Sequence, residues 1–208
     1  MTKAESRVVD LTLTGRLGLD FANTVDRPTS EHPEEFITSY SDLVRWSQHT
    51  GLLTEAEARR IRREAARRPQ EANIVLEEAK SFREVIFRIF SRVAAERQPE
   101  TTDLDLLNKK LSEAFSHLRV APQKTGFRWE WAGGENRLDQ MLWAVAQAAG
   151  EMLVDEEALT WLRECANPGC GWLFVDTSRN KSRRWCKMGV CGNRVKARRH
   201  YEQVKASR

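Results

Sequence analysis

The apolar positions of residues 71–98 follow helical spacing and predict the longest helix of the chain, with one broad apolar stripe. Residues 101–120 show a narrower apolar face at the same spacing, and residues 136–154 are apolar on most sides, which is typical of a central helix. The first stripe is Ile74, Leu76, Phe82, Val85, Ile86, Ile89 and Phe90, and the second is Leu104, Leu107, Leu111, Phe115 and Leu118.

Two shorter helices precede these three. Residues 39–51 place apolar side chains at near-helical spacing, and Gly51 is positioned to end the helix. The next segment begins with Thr54 and Glu57, the spacing of a capping box. Because this segment has few large apolar residues, it predicts a surface helix that ends before Pro69.

A small part of the chain shows strand periodicity. Between residues 11 and 25 the large apolar side chains fall on odd positions, which predicts one or two short strands with a turn near Gly15. A short helix from about Leu19 is the alternative. Residues 29–38 are predicted as a loop, and residues 126–134 as a strand with one aromatic face. The fold class is therefore α+β, with a mostly helical body and a small β-sheet.

Charge is distributed unevenly along the chain. The net charge is +4, but residues 1–160 carry 22 Lys or Arg against 27 Asp or Glu, whereas residues 161–208 carry 12 against 3. A basic C-terminal segment attached to an acidic body indicates that this segment is a module that binds a polyanion. The chain begins without an apolar targeting segment and has no apolar run long enough to span a bilayer, so we expect a cytoplasmic protein without a membrane partner.

The chain's four cysteines lie in two pairs with the pattern C-x4-C-x15-C-x4-C. Reduced cysteines at such spacing favour a zinc site, with two disulfides or inert thiols as the alternatives. Four thiolates leave no open coordination position, so the ion would be a single structural zinc. The predicted ligands are Cys165, Cys170, Cys186 and Cys191.

The segments around the cysteines predict a compact module. Residues 172–176 and 181–185 are predicted as two strands of a hairpin that brings the cysteine pairs together, and a helix is predicted after Cys191. Glycines beside the cysteines suit the positive φ angles of a metal knuckle. We expect a body at residues 1–158 and a treble-clef-like zinc finger at residues 159–208.

Two stretches resemble known domains. Residues 165–202, "CANPGCGWLFVDTSRNKSRRWCKMGVCGNRVKARRHYE", are similar to the CGNR zinc finger, which is named for the tetrad Cys191–Arg194. Residues 17–25, "LGLDFANTV", resemble the start of the ABATE domain that usually precedes this finger. The family is described as stress-induced bacterial transcription regulators. The resemblance implies four zinc-ligating cysteines, a nucleic-acid-binding tail and a helix-rich α+β body.

The basic residues of the tail are the candidate contacts to nucleic acid, because phosphate binding needs dense positive charge. Arg194 and Arg198 share one helical face, with Tyr201 beside it. Trp172 and Trp185 are expected in the small core of the finger, with base stacking as the alternative. The candidates are Arg179, Lys181, Arg183, Arg184, Lys187, Arg194, Lys196, Arg198 and Arg199.

DNA is the favoured target of this surface. RNA binding, and a protein-interaction role in which zinc only folds the tail, are the alternatives. One finger offers a small interface, so specific DNA binding requires a homodimer or further contacts from the body.

The body itself carries few candidate functional residues. Asp20 and Asn23 lie in an apolar stretch, where a structural role is favoured over contact with a ligand. Trp129, Trp131 and Trp143 are expected in the core, and a pocket for a small-molecule effector is the alternative. No phosphate-binding loop or nucleophile elbow is present in the sequence, and we do not expect an enzyme.

Overall fold

The computed structural model describes residues 14–26, 28 and 33–206. Among these residues the fold is α+β and mostly helical, as predicted. The helices are α1 (Leu17–Ala22), α2 (Tyr40–His49), α3 (Glu55–Arg67), α4 (Pro69–Ala94), α5 (Thr101–Ser116), α6 (Met141–Leu153), α7 (Glu156–Thr160) and α8 (Asn193–Ala206). The strands are β1 (Val25–Asp26), β2 (Glu34–Glu35), β3 (Leu118–Pro122), β4 (Phe127–Trp131), β5 (Leu162–Glu164) and β6 (Leu173–Val175).

The six strands form three antiparallel pairs rather than one sheet. β1 pairs with β2, β3 with β4, and β5 with β6. Each pair is too small to be stable alone, so each depends on the helices beside it. None of the helices in the described part of the chain is both long and apolar enough to cross a lipid bilayer.

The core is built around α4 and α6. The α6 side chains are buried on several sides, as the prediction of a central helix requires. α1 packs closely against α6: a Cβ on Gly18 would lie 3.2 Å from the Cα atom of Ala149. Glycine therefore lets the backbones of α1 and α6 approach each other.

The predicted helix boundaries at α2 and α3 are confirmed. Thr54 caps α3 and forms the expected reciprocal capping box with Glu57, and α2 begins with a second capping box, formed by Ser39 and Asp42. Pro69 follows the end of α3 but also occupies the first position of α4, where its missing N–H costs no hydrogen bond.

The strand prediction for residues 11–25 is wrong where the structure describes them. Residues 17–22 form helix α1, close to the alternative of a short helix from Leu19, whereas Leu11 and Leu13 lie outside the described residues. Residues 18–22 are all buried, so α1 can carry apolar residues on every side. The spacing of its apolar residues therefore does not reveal the period of a helix.

The predicted loop at 29–38 contains β2, and residues 29–32 lie outside the described part.

Two of the predicted stripe residues are exposed. Ile74 of α4 and Phe115 of α5 lie outside the buried face of their helices, and Leu118 belongs to β3 rather than to α5. In α4 the buried face instead includes Val75 and Phe87.

The aromatic strand is confirmed as β4, but its environment differs from the prediction. Trp143 is buried, and its ring stacks on the imidazole of His117 with 3.9 Å between centroids. Trp131 is half-buried and packs against Trp143, whereas Trp129 is exposed. The expectation of a core position is therefore wrong for Trp129. Because the three rings lie in three different environments, they do not support a shared effector pocket.

Candidate metal centre and nucleic-acid interface

The first pair of cysteines lies in the loop between β5 and β6. Residues 165–172 connect these strands, and the backbone N–H of Cys165 donates to the carbonyl of Trp172 at 2.8 Å. The predicted pairing of residues 172–176 with residues 181–185 is wrong: β6 pairs with β5, and residues 181–185 are irregular. After β6, Asp176 helps to turn the chain by accepting the backbone N–H of Arg183 at 2.8 Å.

Glycine permits the shape of this first knuckle. Gly169 has φ of 80° and Gly171 has φ of 72°, so both residues around Cys170 occupy the left-handed region. The N–H of Cys170 donates to the carbonyl of Asn167 at 2.9 Å, which closes the turn. The prediction of positive φ angles is confirmed for Gly169 and Gly171 but is wrong for Gly189 and Gly192 at the second pair of cysteines.

The second pair of cysteines lies at the start of the last helix. Cys186 precedes a π-helical turn, Met188–Gly192, which contains Cys191 and leads directly into α8. The predicted helix after Cys191 is therefore confirmed. Its N-terminus lies beside the cysteines, where the partial positive charge of a helix end favours thiolate.

The four cysteines meet at one buried point. Their Sγ atoms all lie within 4.8 Å of one another, with 3.7 Å between Cys170 and Cys186 and 3.6 Å between Cys186 and Cys191. A tetrahedron of sulfur atoms around zinc, with Zn–S bonds of about 2.3 Å, has an edge of roughly 3.8 Å. The cluster thus has the size and donor set that one structural zinc ion requires, and zinc is the cofactor of this chain.

The electrostatics of the cluster also suit a bound cation. Hydrogen bonds from Cys170 and Cys186 lower the pKa of Cys165 below its ordinary value. The hydrogen bond with Cys165, together with burial, raises the pKa values of Cys170 and Cys186. Four thiolates at this spacing would repel one another, and a divalent ion removes that repulsion by binding each sulfur.

Two residues that sequence reasoning did not assign to the metal centre support it. The Asn167 side-chain amide donates to the Cys191 sulfur at 3.5 Å, and such outer partners orient metal ligands. Asp176 is fully buried and accepts the backbone N–H groups of Ser178 and Arg183 at 2.9 and 2.8 Å. The local sequence feature that could have pointed to Asn167 is the Asn-Pro-Gly turn at residues 167–169.

Two of the nine candidate nucleic-acid contacts bond to other groups of the finger, although Arg183 is exposed and Lys181 is half-buried. The Arg183 guanidinium donates to the carbonyls of Trp185 and Cys186 and lies 4.6 Å from the Phe174 ring. Lys181 donates to the carbonyl of Asp176 at 3.0 Å. These two side chains hold the loop between the cysteine pairs, which limits their availability for phosphate.

The other candidates lie on the surface of the finger. Arg184 lies over the ring of Trp185 at 5.8 Å, and Lys187 at the second knuckle is also exposed. The remaining five make no ion pair with a residue in the described part of the chain. They are Arg179, Arg194, Lys196, Arg198 and Arg199.

Helix α8 presents most of this charge. From Asn193 to Lys205 every residue is exposed except Val195, which is half-buried. Arg194, Arg198 and Lys205 lie on one face by helical spacing, and Tyr201 lies beside them. A polar helix that buries no side chain gains little from packing, so its exposed surface is available to a partner.

Asn23 joins the body to the finger. Its amide nitrogen donates to the Leu173 carbonyl at 2.8 Å, and its oxygen accepts the Leu173 N–H at 3.0 Å, so the side chain satisfies both backbone groups of a β6 residue. Nearby, the Trp172 indole donates to the carbonyl of Val25 at 2.9 Å. The favoured structural role of Asn23 agrees with these contacts.

Asp20 also has a structural environment. It is buried and accepts the backbone N–H of Thr14. Burial raises the pKa of Asp20 above its ordinary value, and the hydrogen bonds from Thr14 oppose that rise. The carboxylate thus anchors the chain ahead of α1.

The body and the finger enclose a cleft of about 300 Å³. Phe36 of the body and Trp172 of the finger line it, with ring centroids 6.5 Å apart, and Arg194 also belongs to its lining. Leu162 and Leu173 of the β5–β6 hairpin belong to the same buried cluster as the helices of the body. The hairpin is therefore packed into the body, whereas α8 is exposed.

Comparison with known families confirms both resemblances. The family model described as "Putative stress-induced transcription regulator", ABATE, matches residues 15–156, and the CGNR zinc finger model matches residues 161–203. No curated protein is significantly similar to the chain. Since the first match covers more than half of the chain, the protein belongs to the ABATE family and carries a C-terminal CGNR zinc finger.

Proposed function

We propose that this protein is a transcription regulator whose zinc finger binds DNA. The observation that carries the proposal is the exposed basic helix α8, fixed at its start by the zinc site. Residues 177–208 contain 11 Lys or Arg and one acidic residue, Glu202. Such a surface matches the regular negative charge of a nucleic-acid backbone.

DNA is favoured over RNA by the shape of the helix. An exposed α-helix of 14 residues is about 21 Å long and fits the major groove of B-DNA, whereas the major groove of an RNA duplex is too narrow for it. Arginine at Arg194 and Arg198 suits bidentate contacts to phosphate or to guanine. The family description, which names transcription regulation, supports the same choice.

The test is replacement of two helix cations. We expect Arg194→Ala with Arg198→Ala to weaken binding to duplex DNA about tenfold and to flatten the slope of log K against log salt by about 2, because two phosphate contacts are lost. Fluorescence anisotropy on a labelled duplex at several salt concentrations measures both quantities, and zinc content should stay at one ion per chain.

The matched control removes two cations from the exposed surface of α3, through Arg59→Ala with Arg63→Ala. This variant should bind as the parent does, since the change in net charge is the same but the site differs. Equal binding by the parent and the α8 variant would contradict the proposal. Stronger competition by RNA or single-stranded DNA than by duplex DNA would favour the RNA alternative.

A further inference from the structure

The β3–β4 hairpin carries an apolar face that the body does not cover. Side chains alternate between the two faces of a hairpin, and one face of this hairpin exposes three large apolar residues. Val120 is 56% exposed, Phe127 74% and Trp129 66%. The base of the hairpin is anchored through the contact of Trp131 with Trp143, and Ala121 is buried on the opposite face. Contiguous exposed patches of this kind mark interaction sites.

The outer edge of β4 has unused hydrogen-bonding groups. The pairs His117–Ala132 and Gln123–Gly126 are hydrogen-bonded across the hairpin at 2.8 and 3.1 Å. Because bonded and non-bonded pairs alternate, the odd-numbered residues of β4 direct their N–H and C=O groups outward. Within the described part of the chain, no backbone group bonds to these outward groups. The outer edge of β3 is instead interrupted by Pro122, which has no N–H.

The sequence of β4 is complementary to itself. If two copies of β4 pair antiparallel about a two-fold axis at Trp129, then Arg128 of each copy lies opposite Glu130 of the other, and Phe127 lies opposite Trp131. In this register the two copies bond through the backbone N–H and C=O groups of the odd-numbered β4 residues, which are the groups that β3 leaves unused. An axis at Arg128 or at Glu130 would place like charges opposite each other, which is unfavourable.

We propose that the β4 edge is a dimer interface between two copies of this chain, which joins their hairpins into a four-stranded antiparallel sheet. The apolar faces then form one continuous surface across the two-fold axis. Edge pairing buries less than the exposed apolar area, which is on the order of 400 Å² per copy. Because a standard interface buries about 800 Å² per partner, we expect a weak dimer with a Kd on the order of 10 µM. This proposal is independent of DNA binding, and its test needs no nucleic acid.

Sedimentation velocity of the zinc-loaded full chain over a range of concentrations measures the dimer directly. We expect Arg128→Glu and Glu130→Arg each to raise the dimer Kd by roughly tenfold or more, because like charges then face each other twice. An equimolar mixture of the two variants should dimerise again, since every Glu of one copy then faces an Arg of the other.

The control is Arg119→Glu, on the neighbouring strand β3. Arg119 pairs with Glu130 inside the hairpin at 2.9 Å but does not lie on the β4 edge. The dimer Kd of Arg119→Glu should therefore stay within about twofold of the parent value. A parent protein that stays monomeric at about 100 µM would overturn the proposal. The proposal would also be overturned if neither Arg128→Glu nor Glu130→Arg changed the dimer Kd, or if their mixture stayed monomeric. The same holds if Arg119→Glu weakened the dimer as much as these variants do.

Discussion

At the scale of single residues, Asn23 shows how a side chain can replace a strand. Its amide pairs with both backbone groups of Leu173, as a neighbouring strand would, across 150 residues of sequence. The Leu173 side chain is fully buried, so water cannot satisfy these groups if the amide is removed. The motif that resembles the start of the ABATE domain thus contributes the residue that holds the finger.

We expect Asn23→Ala to lower the free energy of unfolding by roughly 2 to 4 kcal/mol, because it leaves a buried N–H and a buried C=O without partners. Urea unfolding followed by tryptophan fluorescence measures this loss. Asn73→Ala, on the exposed side of α4, is the matched control and should change the free energy of unfolding by less than about 0.5 kcal/mol. Equal stability of Asn23→Ala and the control would show that the bonds to Leu173 contribute nothing.

At the scale of elements, the finger consists of two parts with different supports. The β5–β6 hairpin packs into the core of the body through Leu162 and Leu173, whereas α8 begins just after the turn that contains the zinc ligand Cys191 and fully buries none of its own side chains. An isolated helix of 14 residues is marginal in water, so α8 depends on the metal site at its start.

We expect Cys170→Ser to reduce bound zinc to well below one ion per chain and to expose the amides of residues 177–206 to exchange, while the amides of α4 and α6 stay protected. The reason is that the hairpin and the body retain their own core, whereas α8 does not. Hydrogen–deuterium exchange with mass spectrometry, together with metal analysis, measures both effects. Full zinc content with unchanged exchange in α8 would contradict this division.

The elements also show which features the sequence could predict. The cysteine spacing identified the metal site, and Thr54 with Glu57 marked the start of α3, because these signals are local. The pairing of β6 with β5 was missed, since β5 has only three residues and its partner is selected by contacts with α4 and Asn23 rather than by local pattern. The period of α1 was hidden because that helix is buried on every side.

At the scale of the whole molecule, the two ends of the chain carry opposite charge. Residues 1–160 have five more acidic than basic residues, whereas residues 161–208 have nine more basic than acidic residues. An acidic body repels a nucleic-acid backbone, so it favours approach through the finger and disfavours binding through other surfaces. A weak dimer through β4 would bring two such fingers to one DNA and raise their joint affinity.

The most direct test compares zinc-loaded protein with protein from which a chelator has removed zinc, each titrated onto labelled duplex DNA over a range of salt concentrations. We expect the loaded protein to bind with an affinity that falls steeply and linearly in log salt, and the stripped protein to bind at least tenfold more weakly, because α8 is no longer fixed. Restoring zinc should restore binding. Equal affinity with and without zinc, or binding that does not depend on salt, would contradict the proposed role of the finger.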